Sequence, residues 1–380
     1  MDYECLKQRS DGMRLVPVSS VREGTELAKT IFDSQGRILL SKGVELKQGL
    51  IRRIRKNGIM SVYINDEYSD NEIEDVIKPE LRIKAIKLMK DSYTRFSEMA
   101  NEGITNKKLA NKLKTKCLED IGAIIESFIN ELFSQKEILV KMVDIKSMDN
   151  YTYQHCVNVA VLSIIVGIEM QYNKEKLTHL ATGAILHDLG KTYVPKEVLL
   201  KPGKLTSEEF EVIKNHSEKG YEYLKDNMYV SSISRVIALQ HHERVDGTGY
   251  PRGISGDEIN ECAKIVAVAD VYDALVSDRP YRQALSPNEA IEYIMGASGT
   301  HFDYKVAQAF IKMIVPYPEG TLVRLSNGDI AVVTKTNPKF SLRPKVRVVM
   351  RNGKAVENST IDLVDEKNIT ISGIQYDVES

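Results

Sequence analysis

Residues 177–191 read LTHLATGAILHDLGK, and this stretch decides the class of fold. Its apolar residues recur at steps of three and four, which is the period of a helix with one buried face. His187 falls on the same face as Leu180 and Ala184, and the adjacent Asp188 follows Ala184 by one helical turn. The pattern therefore predicts a buried helix that ends in an inward-facing histidine–aspartate pair.

The same helical period extends over most of residues 138–315, with interruptions around 192–204 and 244–262. Residues 79–133 are also helical by period. This earlier segment could be a connector, part of a homodimer interface, or the first helices of the following domain.

Both ends of the chain have β character. Residues 13–66 contain short apolar runs separated by turn signals, with one helical stretch that ends at Gly58. After residue 320, apolar runs alternate around Asn327–Gly328 and Asn352–Gly353, which are strong hairpin signals. We therefore predict a mainly α fold: an all-helical bundle core flanked by a small N-terminal α+β unit and a small C-terminal β unit. The predicted boundaries are 1–75 for the N-terminal accessory unit, 76–137 for the helical linker or first core helices, 138–316 for the core, and 317–380 for the C-terminal unit.

Composition excludes several classes of protein. A net charge of −1 over 380 residues offers no basic field for a nucleic acid polymer or an anionic membrane. The four cysteines are scattered without CxxC spacing, which is typical of reduced thiols in the cytosol. The N-terminus is polar and charged, unlike a signal peptide, and the apolar stretch 160–168 is shorter than the roughly 20 residues of a membrane helix. We expect a cytoplasmic protein without membrane insertion.

Five of the seven histidines and two aspartates fall where helical faces turn inward. A lone inward histidine is more often a hydrogen-bonded core residue, and an unpaired carboxylate in an apolar segment is costly. Seven separate structural explanations would be needed for the set, whereas one metal centre accounts for all of it. Nitrogen and oxygen ligands suit iron, manganese, zinc or nickel. The seven residues are His155, His187, Asp188, His216, His241, His242 and Asp270.

Seven ligands are too many for a single ion that must also hold water and substrate. They suit two metal ions that share a carboxylate, hold a bridging hydroxide and bind both non-bridging oxygens of a phosphate. The sequence has no GxxxxGK[ST] loop, no GxGxxG after a strand and no HExxH. Hydrolysis of a phosphodiester or a phosphomonoester is therefore the favoured reaction.

Besides His155 and His216, the chain carries the motifs HDLGK at 187–191, HH at 241–242, GTGYP at 247–251, ADVYDAL at 269–275 and SDRPYR at 277–282. Together these motifs resemble the HD-GYP family, the all-helical branch of the HD phosphohydrolases. The resemblance covers nearly half of the chain and implies an HD-type core. It also implies hydrolysis of the bacterial messenger cyclic di-GMP to linear pGpG, and in many members onward to GMP, at a bimetallic and often iron-containing site.

The resemblance also divides the metal ligands into two sets and implies two divalent ions, iron or manganese. Some members carry a glutamate four residues before the first ligand histidine and bind a third metal. That position is Tyr151 here, which favours a two-metal site. The first set is His155, His187, Asp188 and Asp270; the second is His216, His241 and His242, with Asp188 as the bridge.

By the same resemblance, Asp188 and Lys191 are the catalytic residues. Lys191 matches a lysine near the scissile phosphate, where it could neutralise developing charge or help protonate the departing 3′ oxygen. The alternative is a surface lysine at a helix C-terminus. Arg279 and Arg282 match positions that bind the substrate phosphates, for which guanidinium forks are suited. The alternative for this pair is an exposed basic loop.

The GYP turn is the predicted wall of the substrate site. Tyr250 could stack on a guanine or hydrogen-bond to it, while Gly249 allows a close approach and Pro251 fixes the turn. Asp273 could support a ligand from behind or simply pair with Arg279.

Two other functions remain open from the sequence. The chain could be a receptor that senses a cyclic dinucleotide without turnover, or an enzyme for the mixed GMP–AMP cyclic dinucleotide or a nucleotide monoester. His179 and His301 lie outside the matching positions and are interpreted as structural or surface residues.

Overall fold

The structure is a computed structural model. It describes residues 12–32, 37–59, 61–66, 68–69, 73, 75–101, 107–135, 138–140, 151–199, 201, 203–277, 284–337 and 339–376. Helices dominate the middle of the chain and strands occupy both ends, so the predicted fold class is confirmed.

The N-terminal unit is a small antiparallel sheet covered by one helix. The helix ends near Gly58, as predicted, and this glycine has a φ of +72°. Ile51 and Ile54 of the helix are buried against Val16 and Leu27 of the sheet. The elements are β1 (Arg14–Pro17), β2 (Thr25–Leu27), β3 (Ile31–Phe32), β4 (Ile38–Leu40), β5 (Glu45–Leu46), α1 (Gln48–Lys56) and β6 (Ser61–Asn65), with the sheet order β1-β6-β2-β5 and a separate β3-β4 pair.

The central region is a bundle of helices around one hydrophobic core. Its elements are α2 (Pro79–Asn101), α3 (Lys107–Phe133), α4 (Tyr151–Glu169), α5 (Lys174–Leu186), α6 (Lys196–Leu199), α7 (Ser207–Lys214), α8 (His216–Leu224), α9 (Ser232–Gln240), α10 (Glu261–Leu275), α11 (Pro287–Gly296) and α12 (Tyr304–Met313). Helix α4 packs against α2, α5, α10 and α12. Met89 of α2 and Ile125 of α3 belong to the same hydrophobic core as the buried residues of α4.

The predicted interruptions of the helical pattern are present, with one difference. The gap from α9 to α10 spans the segment predicted at 244–262, but the four-residue helix α6 lies inside the segment predicted at 192–204. Helix α4 is long and apolar enough to cross a membrane by length and composition alone, because the helix extends beyond its apolar stretch at both ends. Nevertheless, 72% of the apolar 18-residue segment of α4 is buried inside the protein.

The C-terminal unit is a five-stranded antiparallel sheet in the order β10-β9-β8-β7-β11. Both predicted hairpins are present, and Gly328 and Gly353 adopt positive φ angles in their turns. Strand β10 is the second strand of the hairpin at Asn352–Gly353, but its sequence KAVENSTID is largely polar and shows no apolar run of its own. It is an edge strand that β9 pairs through the second hairpin. The strands are β7 (Leu322–Leu325), β8 (Ile330–Lys335), β9 (Lys345–Arg351), β10 (Lys354–Asp362) and β11 (Ile371–Ile374).

Candidate active site

The histidine–aspartate pair lies where α5 ends. His187 is the C-terminal cap of α5, and Asp188 precedes a short 3₁₀ turn. Gly190 in this turn packs directly on the start of α8, since an added Cβ would lie 1.8 Å from the carbonyl oxygen of His216. A glycine is therefore required for α5 and α8 to bring their polar ends together.

Three of the imidazoles are oriented by the backbone. The Nδ1 atoms of His187, His216 and His241 lie 2.6, 2.7 and 3.0 Å from backbone carbonyl oxygens of the preceding helical turn. A carbonyl can only accept a hydrogen bond, so each Nδ1 is the donor and each Nε2 faces the cluster. This is the arrangement found behind most metal-binding histidines.

Asp188 lies between two groups of imidazoles. Its Oδ2 is 3.4 Å from Nε2 of His187 and 3.9 Å from Nε2 of His155. Its Oδ1 is 3.4 Å from Nε2 of His216 and 4.0 Å from Nε2 of His241. His242 completes the second group, whose possible donor atoms all lie within 4.8 Å of one another. The two carboxylate oxygens therefore face the two ligand sets that the resemblance implies.

Asp270 joins the cluster from α10. Its Oδ1 lies 3.0 Å from Nε2 of His155, and its Oδ2 lies 3.8 Å from Nδ1 of His242. Asp273, one turn later, accepts a hydrogen bond from Nδ1 of His155 at 2.7 Å. This contact supports the interpretation that Asp273 orients the candidate ligand His155 from behind.

The donor set fits a metal centre. Within the described residues, the buried atoms Nε2 of His187 and Oδ1 of Asp188 have no hydrogen-bond partner. Such atoms are costly when left unpaired, and imidazole and carboxylate ligands suit divalent transition metals. The cluster could therefore hold metal, with Asp188 shared by both groups of donors.

Lys191 contacts the shared carboxylate. Its Nζ lies 2.6 Å from Oδ2 of Asp188, and 28% of the side chain is exposed. Burial alone raises the pKa of Asp188, but the charge of Lys191 and contact with His187 hold it well below its usual value. Burial lowers the pKa of Lys191, and the charge of Asp188 outweighs this and raises it. The pair is therefore ionised, and an ammonium faces both the cluster and solvent.

The GYP turn folds back onto the adjacent histidines His241 and His242. The backbone N–H of Tyr250 donates to the carbonyl of His242 at 3.1 Å, and the two rings lie 4.6 Å apart. Gly249 makes this possible, because an added Cβ would lie 2.5 Å from Cα of Glu243. Pro251 follows through a cis peptide bond. The structure thus places the aromatic ring of Tyr250 beside the cluster.

Comparison with known proteins identifies the family. The HD domain family matches residues 126–306, and the KOW domain associated with HD domain matches residues 322–375. A cyclic di-GMP phosphodiesterase of Thermotoga maritima is 32% identical over 318 residues, which cover 80% of this chain and 84% of that protein. The chain belongs to the HD-GYP family.

Other HD-GYP relatives cover less of the chain. A cyclic di-GMP phosphodiesterase of Pseudomonas aeruginosa is 36% identical over 242 residues, covering 63% of this chain and 58% of that protein's length. A 3′3′-cGAMP-specific phosphodiesterase of Vibrio cholerae is 38% identical over 163 residues, covering 43% and 37%.

Two residues of this HD-GYP chain that line the site were missed from the sequence. Phe210 of α7 is 46% exposed, and its ring lies 6.3 Å from that of Tyr250. The Nζ of Lys214 lies 5.2 Å from the ring of Phe210 and 5.8 Å from that of Tyr250. The only sequence signal was an aromatic residue on the polar helix before His216, which was too weak to single out.

Arg279 and Arg282 lie outside the described residues. The ring of Tyr151 stacks on that of His155 at 5.8 Å, so an aromatic ring occupies the position of the third-metal glutamate. His179 and His301 contribute no atom to either donor group.

Proposed function

We propose that this chain hydrolyses cyclic di-GMP to linear pGpG. The observation that carries the proposal is the placement of Asp188, whose two carboxylate oxygens face separate sets of imidazoles. Two divalent ions, iron or manganese, would be held by the two sets with Asp188 as the shared ligand. When bound, such ions activate water at neutral pH and neutralise charge on a phosphate.

The bond changes follow from the proposed product, linear pGpG. A water oxygen attacks the phosphorus, the bond from phosphorus to the ribose 3′ oxygen breaks, and the 5′ phosphate remains on the linear product. Asp188 orients the attacking group, and its charge keeps Lys191 protonated. Lys191 stabilises charge on the phosphate in the transition state and supplies a proton to the departing oxygen. The attacking water loses one proton to solvent, and the partly exposed Lys191 is reprotonated from solvent.

The substrate wall is formed by the GYP turn. The ring of Tyr250 lies beside that of His242. Gly249 and Pro251 determine the shape of the turn, and a guanine of the substrate is proposed to pack against the ring of Tyr250. Arg279 and Arg282 are proposed to bind the substrate phosphates, as the family resemblance implies.

A second substrate is supported by one relative. The similarity to a 3′3′-cGAMP-specific phosphodiesterase of Vibrio cholerae makes the mixed GMP–AMP cyclic dinucleotide the alternative. A receptor without turnover receives less support, because the catalytic pair and both donor groups are present.

The test is product identification. Protein purified anaerobically and loaded with iron or manganese is incubated with cyclic di-GMP, cyclic GMP–AMP or a nucleotide monoester, and products are resolved by chromatography and mass spectrometry. We expect pGpG from cyclic di-GMP at the highest kcat/KM. The double variant His187→Ala, Asp188→Ala should lose bound metal and turnover. His179→Ala, on the same helix but outside the donor groups, should retain both. Metal-replete protein that binds cyclic di-GMP without cleaving it contradicts the proposal.

We also propose that the protein is located in the cytoplasm. Cys117, Cys156 and Cys262 are free and buried, which agrees with a reducing cytoplasm. Because α4 is mostly buried, its apolar surface supports a core role and not membrane insertion. The predicted homodimer stays a prediction.

A further inference from the structure

A series of hydrogen-bonded polar side chains, called the polar chain below, begins at His155 and leads away from the metal cluster. Asp273 accepts from Nδ1 of His155 at 2.7 Å and from the side-chain amide of Asn158 at 3.1 Å. The Oδ1 of Asn158 accepts a hydrogen bond from the guanidinium of Arg82 on α2. Arg82 also makes two hydrogen bonds to Asp75, at 2.7 and 3.0 Å. The chain therefore joins three elements that are distant in sequence.

The direction of each hydrogen bond follows from the chemistry of its groups. The guanidinium of Arg82 can only donate hydrogen bonds, so the side-chain amide of Asn158 must turn its Oδ1 towards Arg82. The amide N–H₂ of Asn158 then points at Asp273. The carboxylate of Asp273 can only accept, so Nδ1 of His155 must be the donor. Nε2 of His155 then faces the cluster, 3.0 Å from Oδ1 of Asp270.

His155 differs in this respect from the other oriented rings. His187, His216 and His241 are oriented by backbone carbonyls three residues earlier in the sequence. His155 is oriented by side chains from other parts of the fold, so its orientation depends on tertiary packing. His155, Asn158 and Asp273 are all buried, which shields these bonds from competing water.

The end of the polar chain that is farthest from His155, at Asp75, lies next to the N-terminal unit. Asp75 stands in the segment between β6 and α2, and its side chain is 9% exposed. Burial raises the pKa of Asp75, but the charge and hydrogen bonds of Arg82, with the charge of Lys29, outweigh burial and lower it. Asp75 is therefore an anion that holds the guanidinium of Arg82 in place.

We propose that Arg82 is a positioning residue, which acts through Asn158 and Asp273 to set the tautomer and ring angle of His155 for metal binding. The inference rests on the metal-binding part of the proposed function and is independent of which nucleotide is cleaved.

The test measures metal affinity in the full chain. The dissociation constant for Mn²⁺ is measured anaerobically by electron paramagnetic resonance, beside the melting temperature of the metal-free protein. Loss of a residue behind a metal ligand typically weakens metal binding by about 10- to 100-fold, and we expect this for Arg82→Ala. Arg82→Lys, which retains a cationic donor, should recover part of the affinity.

Lys264→Ala is the matched control. Lys264 lies on α10, is 9% exposed and pairs with Asp303 at 3.2 Å, outside the polar chain. This variant should lose stability as Arg82→Ala does and keep the wild-type affinity for Mn²⁺. The nearly isosteric Asp273→Asn provides a second test of the chain should Arg82→Ala fail to fold, and it too should weaken Mn²⁺ binding.

Four results separate the possible failures. Unchanged Mn²⁺ affinity in Arg82→Ala, or in Asp273→Asn where the former does not fold, overturns the positioning role. Equal losses of affinity in Arg82→Ala and Lys264→Ala show a general effect of stability and also overturn it. Wild-type protein that binds no Mn²⁺ overturns both proposals, whereas normal binding without hydrolysis overturns only the proposed activity.

Discussion

The Nε2 atoms of His216 and His241 face each other at a distance of 3.2 Å. Both rings donate through Nδ1 to backbone carbonyls, so two lone pairs converge. Burial lowers the pKa of His216 to about 4 and lowers that of His241 well below its usual value. Protonation therefore does not relieve this repulsion at neutral pH, and a bound cation would.

Metal removal should destabilise the protein. A ligand that binds only the folded state stabilises it by about 2.7 kcal/mol at 100 times its dissociation constant. We expect the melting temperature to rise with Mn²⁺ concentration and to fall after chelation, as measured by scanning calorimetry. The double variant His187→Ala, Asp188→Ala should show neither response. A melting temperature that ignores Mn²⁺ in the wild type contradicts a metal centre in this cluster.

Replacing Lys191 should impair the chemistry and not the fold. Removal of one group that stabilises transition-state charge costs about 10²- to 10³-fold in kcat, and we expect Lys191→Gln to lose an amount in this range. Lys191→Arg should retain part of the rate because its charge remains. Lys196→Gln, an exposed lysine on α6, is the control and should be unaffected. Equal rates for both glutamine variants would support the surface-lysine interpretation.

Gly190→Ala should separate the two halves of the cluster. The new Cβ would lie 1.8 Å from the carbonyl oxygen of His216, so α8 must shift. We expect a lower melting temperature, by the equivalent of about 1–3 kcal/mol, and less bound metal by elemental analysis. Gly122→Ala in α3 has no atom near its Cβ and should stabilise by roughly 0.5–1 kcal/mol. Full metal content in Gly190→Ala would show that α8 tolerates the displacement.

The aromatic wall should contribute to substrate binding. Tyr250→Ala removes a ring next to His242, and Phe210→Ala removes the exposed ring beside it. Stacking of a base on an aromatic side chain is worth about 1–3 kcal/mol, so we expect KM to rise by roughly 5- to 150-fold in each variant. Tyr250→Phe should stay near wild type. Phe133→Ala, a similarly exposed phenylalanine at the end of α3, should leave KM unchanged.

His301 should contribute to acid sensitivity. Burial, followed by the charge of Arg244, lowers the pKa of His301 to about 4, and its ring stacks on Phe302. The unfolded chain therefore binds a proton that the folded state does not, and stability is lost as pH falls from about 6.5 towards about 4. We expect His301→Phe to reduce this loss, by at most about 1.4 kcal/mol per pH unit in denaturant titrations. Identical pH profiles for variant and wild type would contradict this assignment.

The sequence was sufficient for the helical core and for the composition of the candidate cluster. Helical period and the costs of burial made His187 and Asp188 conspicuous, because polar groups on apolar faces need a partner. Both hairpins of the C-terminal sheet were also predicted, since Gly328 and Gly353 allow the backbone angles that such turns require. Strand β10 was indicated by this second turn alone, because an edge strand need not carry apolar residues.

The sequence by itself determined which residue types are buried and the local turns that present them. The tertiary structure alone decided which oxygen of Asp188 faces which ring, and that Arg82 reaches His155 through Asn158 and Asp273. It also decided that Phe210 lies beside Tyr250. Periodicity encodes the face on which a residue lies on its own helix, whereas contacts between helices depend on packing that no local pattern records.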